Sequence, residues 1–173
     1  MIASRARLVS IFVGLTLCLL IPSATAQDST PEATPASGVS REVLHTALPE
    51  MAPGYALSLT RVVIEPGGVA AAHMHPGLQL IYIESGTIYY TVVTGGELPY
   101  TLAGEDGQPG VEGILAAGEE IEFGPGDRFV EQKPMVHIAE NRGDVPVVIL
   151  AASLFGPNLP ASIPINVPAT PRS

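Results

Sequence analysis

Two of the four histidines in the chain sit two residues apart, in His73-Met74-His75, and a third, His137, lies far downstream. On a strand, residues two apart project from the same face, about 6.6 Å apart along the backbone. That span lets both imidazoles reach one ion at roughly 2.1 Å each. Neutral imidazole is a ligand for divalent transition metals, so the pair is a candidate site for one such ion. His-x-His pairs also occur on plain surface strands, so the context matters. Val69-Ala70-Ala71-Ala72, just before the pair, is small and apolar, as expected of a strand entering a barrel interior. Gln79 follows four residues after His75, beyond the Pro76-Gly77 turn, where the chain starts back along a neighbouring strand. His45, in Val43-Leu44-His45, precedes the barrel strands and is not expected among the ligands.

Other side chains rank lower as chemistry. Met135 shares a strand face with His137, and a core role is the simpler reading for it. Tyr82, Tyr89 and Tyr90 offer phenols, although one or two of them should only pack, with the hydroxyl at the rim. Glu84, Glu119, Glu120 and Glu122 read as solvated faces.

The elements that must position these residues read as strands and turns. Short runs rich in Val, Ile, Tyr, Thr and Leu recur between Gly and Pro, at Tyr55 to Ile64, Val69 to His75, Leu78 to Ile83 and Thr87 to Val93. They continue at Glu119 to Phe123, Arg128 to Glu131, Val136 to Ala139 and Val145 to Leu154. No 3.6-residue apolar period is sustained. The fold class is therefore all-β, an antiparallel sandwich or barrel.

The spacing of these residues resembles the two motifs of the cupins. Gly67, His73-x-His75, Gln79 and Gly86 match the first motif, except that Gln79 stands where the family has Glu. Gly126, His137 and Asn141 match the ends of the second, while Gln132 and Pro134 replace its Pro and Gly. Together the motifs span about half of the chain left after the leader segment discussed below. The resemblance implies a cupin-type antiparallel jelly-roll β-barrel of six to eight strands, with the metal inside its mouth. It carries His73, His75 and His137 over as metal ligands and puts Gln79 in the fourth position, either as a ligand or hydrogen-bonded beside the site. An amide brings neither charge nor useful basicity, so such an ion would keep its full +2 charge. Three imidazoles with open positions suit Fe, Mn, Cu, Ni or Zn. Homodimers are a further expectation of the resemblance.

Organisation and charge narrow the setting. Arg5 and Arg7, the 14-residue run Leu8 to Ile21 and Ala24-Thr25-Ala26 form a signal-peptide pattern over residues 1–26. The run is shorter than the roughly 20 residues of a membrane span. Cys18 lies within it, and Leu17 before it argues against lipid anchoring. Residues 27–40 read as a disordered Ser/Thr/Pro linker, 41–155 as the barrel and 156–173 as a Pro-rich tail that can lie extended against it. Gly95 to Gly118 is a glycine-rich insertion with weak strands at Tyr100 to Leu102 and Gly113 to Leu115, either a flap over the site or an added surface hairpin.

Without Arg5 and Arg7 the formal charge moves from −9 to −11, and the single cysteine is lost. That excludes disulfide chemistry and argues against nucleic acid or an anionic membrane surface as partner. The expectation is a secreted or periplasmic metal-binding protein that takes a small-molecule ligand. Two readings stay open: a dioxygenase-like or Lewis-acid enzyme acting on a small oxygen-rich molecule, and a non-catalytic protein that binds a small ligand or metal. No catalytic residue is assigned by the sequence.

Overall fold

A computed structural model describes residues 38–104, 108, 110–132 and 134–167. The expected signal peptide, most of the expected linker and the last six residues of the tail lie outside the described residues. The strands are β1 (Val39–Ala47), β2 (Ala56–Ile64), β3 (Val69–Met74), β4 (Leu78–Ser85), β5 (Ile88–Thr94) and β6 (Leu98–Leu102). They continue as β7 (Val111–Leu115), β8 (Glu120–Phe123), β9 (Arg128–Glu131), β10 (Val136–Glu140), β11 (Val147–Phe155) and β12 (Ile163–Pro164). They form a seven-stranded sheet in the order β1-β2-β11-β4-β9-β6-β7 and a five-stranded sheet in the order β12-β3-β10-β5-β8. Every recorded pairing is antiparallel. The fold is an all-β jelly roll.

Alternation along the strands explains why the sheets stack. On β11 and β5 every second residue is buried, and β4 alternates in the same way over most of its length. Ile81, Ile83, Ile149 and Ala151 point inward from the larger sheet, and Ile88, Tyr90, Val92 and Ala139 from the smaller one. Phe123 and Phe129 stack at 4.5 Å between centroids within this core. Each large apolar side chain buried here contributes roughly 1.5–3 kcal/mol.

The motif glycines sit where the backbone demands them. Gly86 turns the β4–β5 hairpin at φ +75°, and a Cβ there would lie 2.6 Å from the Pro146 carbonyl oxygen. Gly126, at φ +90°, turns β8 into β9. Asp127 closes that turn by accepting from the Gly124 and Ala103 amides at 2.7 and 2.6 Å.

The structure has more strands than the sequence suggests. β1 pairs with β2 from Val39↔Ile64 to Ala47↔Leu57, so Val39 and Ser40 belong to a strand rather than to a linker. It is an edge strand, exposed along nearly all its length, and so carries no hydrophobic alternation to read. The insertion forms β6 and β7 over the two weak strands expected there, and β6 joins the larger sheet through Tyr100↔Phe129 and Thr101↔Arg128. Leu98 and Leu115 anchor this hairpin in the core. The tail contributes β12, an edge strand paired with β3 at Ile163↔Met74 and Pro164↔His73, where a proline is tolerated. The Ile165 amide also donates to the Ala72 carbonyl at 2.9 Å.

Candidate metal centre

The three predicted histidines converge. His73 on β3 and His137 on β10 are direct cross-strand partners, and His75 lies one residue beyond the end of β3. The ring centroids are 4.3 Å apart for His73 and His137, 5.0 Å for His73 and His75, and 5.1 Å for His75 and His137. One nitrogen from each lies within 4.8 Å of the others, so the cluster is able to hold a metal ion. Register shifts flank His137 on both of its strand neighbours, the kind of irregularity that re-aims a side chain.

Backbone carbonyls fix two of the rings. His73 Nδ1 donates to the Ala71 carbonyl and His75 Nδ1 to the Ala161 carbonyl, both at 2.7 Å. A carbonyl only accepts, so these nitrogens carry protons and Nε2 is the remaining ligand atom of each ring. The Ala161 contact comes from the Pro-rich tail, which therefore orients a ring of the site as well as pairing with β3. His75 also stacks on Phe155 at 6.0 Å. Burial, reinforced by the neighbouring His137 and His75, pushes the His73 pKa down to about 3, so its ring is neutral near pH 7.

A carboxylate not singled out by the sequence reading lies beside two of the three rings. Glu131, the last residue of β9, is 4% exposed. Its Oε2 lies 3.1 Å from His75 Nε2, and its Oε1 lies 3.3 Å from His137 Nε2. Tyr90 Oη donates to Oε1 at 2.8 Å, and the Tyr90 ring stacks on His137 at 5.1 Å. Burial alone would raise the Glu131 pKa, but His137 and His75, with the hydrogen bonds from His75 and Tyr90, outweigh it and hold the carboxyl ionised. Burial likewise works against the His75 imidazolium, yet the Glu131 charge outweighs it and raises the His75 pKa. For His137, burial prevails and the pKa falls.

Gln79 lies on β4, in register with Ser153 of β11 on one side and Glu131 of β9 on the other. It is buried, and its Nε2 donates to Ser153 Oγ at 2.8 Å. Ser153, Gln79 and Glu131 thus form one inward row on the larger sheet, facing the histidines of the smaller one.

All these side chains line a cavity of about 80 Å³, whose remaining wall includes Val62, Ile81, Phe129 and Ile149. That volume holds a handful of non-hydrogen atoms. Arg41 of β1 also lines it and is the only lysine or arginine to do so among the described residues. Of the three tyrosines considered from sequence, Tyr90 reaches the site. Tyr82 is exposed, and Tyr89 lies under the Arg142 guanidinium at 4.4 Å. Met135 is a core residue, and His45 is exposed on β1. Glu84 faces Arg61 at the surface and Glu120 pairs with Arg142, as solvated residues do. Asn141 is structural, its amide donating to the Ile64 and Val145 carbonyls at 2.8 Å.

Residues 25–169 match the sequence model of the Cupin family, and the chain belongs to that family. It is similar to Nectarin-1 of Nicotiana langsdorffii x Nicotiana sanderae, with 28% identity over 131 residues, covering 72% of this chain and 48% of Nectarin-1. Among solved structures it is similar to a cupin superfamily protein from Desulfitobacterium hafniense, at 14% identity and a TM-score of 0.45, covering 72% of this chain and 83% of that one. It is also similar to the oxalate decarboxylase of Bacillus subtilis, at 21% identity and a TM-score of 0.46, covering 75% of this chain and 28% of that one. The chain thus spans about half the length of Nectarin-1.

Proposed function

We propose that this cupin is exported, holds one divalent transition metal through His73, His75 and His137, and acts as a metal-dependent enzyme on a small oxygen-rich molecule. The observation that carries the reading is the convergence of three buried imidazoles, two of them locked by carbonyls with Nε2 turned inward, on one cavity. Fe, Mn, Cu, Ni and Zn all suit this donor set. Such an ion supplies Lewis acidity to oxygen atoms that chelate it, or dioxygenase-like chemistry where it is redox-active. Arg41 at the cavity wall favours a substrate bearing a carboxylate or other oxyanion, which a guanidinium recognises through paired hydrogen bonds. Export rests on the signal-peptide pattern of residues 1–26. Among the described residues no helix is long and apolar enough to cross a membrane.

The test is protein loaded with each metal in turn and assayed for O2 uptake and product formation over diketones, catechols, flavonols and short carboxylates. Turnover of any of them supports the enzyme. Tight ligand binding with no turnover across the panel overturns it and leaves the second reading, non-catalytic capture of a small ligand or metal. That second reading is favoured by the volume of the cavity, about 80 Å³, which is small for a substrate pocket.

The outer face of the larger sheet bears on assembly. Leu57, Leu59, Leu78, Leu80 and Tyr82 form an exposed apolar patch there, each more than a third accessible. Arg61 lies at its edge with Glu42 and Glu84. An uncharged centre with both signs of charge at its rim suits a second copy of this acidic chain better than an acidic partner of another kind. A homodimer in sedimentation that Leu80→Lys converts to monomer supports this, and a monomeric wild type overturns it.

A further inference from the structure

We infer that Glu131 is itself a ligand of the ion, so that the carboxylate missing at position 79 is supplied from the neighbouring strand. The inference rests on the three-histidine reading above and adds a fourth protein ligand to it.

Three observations carry it. Glu131 is the cross-strand partner of Gln79, so its side chain leaves the same inward face one strand further along the sheet. Its two oxygens are also treated differently. Oε1 accepts the Tyr90 hydroxyl at 2.8 Å, whereas Oε2 is buried with only His75 Nε2 beside it, 3.1 Å away. Once His75 Nε2 binds an ion it no longer serves Oε2, and a buried carboxylate oxygen left without a partner is costly unless a cation meets it. An ion held by the histidines supplies that cation, and Tyr90 orients the carboxylate by occupying only the other oxygen.

The same arrangement explains Gln79. Facing cross-strand residues place their Cβ atoms about 5 Å apart, so glutamates at both 79 and 131 would set two like charges side by side in a buried wall. An amide avoids that repulsion, and its Nε2 is already committed to Ser153 Oγ. Gln79 is therefore a positioning residue in the row, and the site is three imidazoles with one carboxylate, its charge half neutralised by the protein.

The experiment is Co(II) binding to tag-free full-length protein, read by calorimetry and by the visible spectrum of the bound ion. Glu131→Gln keeps the shape and the Tyr90 acceptor while removing the ligand charge. It should weaken Co(II) binding by at least about 10–100-fold and change the spectrum. Circular dichroism in chelator checks that each variant is folded. If Glu131→Gln does not fold, Glu131→Asp serves: a shifted Co(II) spectrum supports the ligand and an identical one overturns it. Wild-type affinity and spectrum in folded Glu131→Gln overturn the inference alone. Failure of the histidine reading looks different, with Co(II) bound equally by wild type and by the His73→Ala/His75→Ala variant.

Discussion

Removing one hydroxyl tests whether the Tyr90–Glu131 contact holds the site together before any metal arrives. Tyr90 is 1% exposed, and its ring lies 4.8 Å from Phe129, 5.1 Å from His137 and 6.0 Å from Phe123. Phenylalanine keeps all three ring contacts, so Tyr90→Phe deletes only the 2.8 Å hydrogen bond to Glu131 Oε1. Burial first, and then the Glu131 charge, raise the phenol pKa well above its ordinary value, so the group is a donor at any working pH. A hydrogen bond to a charged acceptor contributes about 1.5–3 kcal/mol. For a domain of this size each kcal/mol shifts the melting temperature by about 2–4 °C, so the variant should melt about 3–12 °C lower in chelator. Thermal melts followed by circular dichroism measure this directly. A melting temperature within about 1 °C of wild type would refute the assignment of Tyr90 as the group that holds Glu131.

Two further outcomes follow from contacts at the edge of the site. Truncation after Gly156 removes β12 and the Ala161 carbonyl that orients His75, so metal affinity should fall about 10–100-fold while the far-ultraviolet β spectrum persists. An unchanged dissociation constant in calorimetry would show that the tail is only a covering. Arg41→Ala should leave metal affinity within about twofold and weaken short carboxylates on the metal-loaded protein about tenfold, the equivalent of about 1.4 kcal/mol. Equal carboxylate affinity in competition titrations would remove Arg41 from ligand recognition.

Much of the arrangement was legible in the sequence wherever the physics is local. The alternation of β4, β5 and β11, the glycine turns at Gly86 and Gly126 and the two-residue spacing of His73 and His75 all express short-range rules. Three features did not. β1 is an exposed edge strand whose pairing with β2, not its own pattern, defines it. β12 is two residues long and contains a proline, which reads as coil until β3 is beside it. Glu131 ends a strand in Arg128-Phe129-Val130-Glu131, where a terminal acidic residue reads as solvated. The available signal was alternation: Phe129 and Glu131 share a face, so a buried Phe129 implies an inward carboxylate opposite Gln79. The insertion resolves differently from a flap. None of its described residues lines the histidine cavity; β6 instead pairs with β9, the strand that carries Glu131.

The central claim is that His73, His75 and His137 hold one metal ion, and metal analysis of tag-free protein tests it most directly. Protein purified from metal-replete medium and desalted should carry close to one equivalent of a divalent transition metal. The His73→Ala/His75→Ala variant, folded by circular dichroism, should carry almost none. Equal metal content in the two proteins would contradict the account.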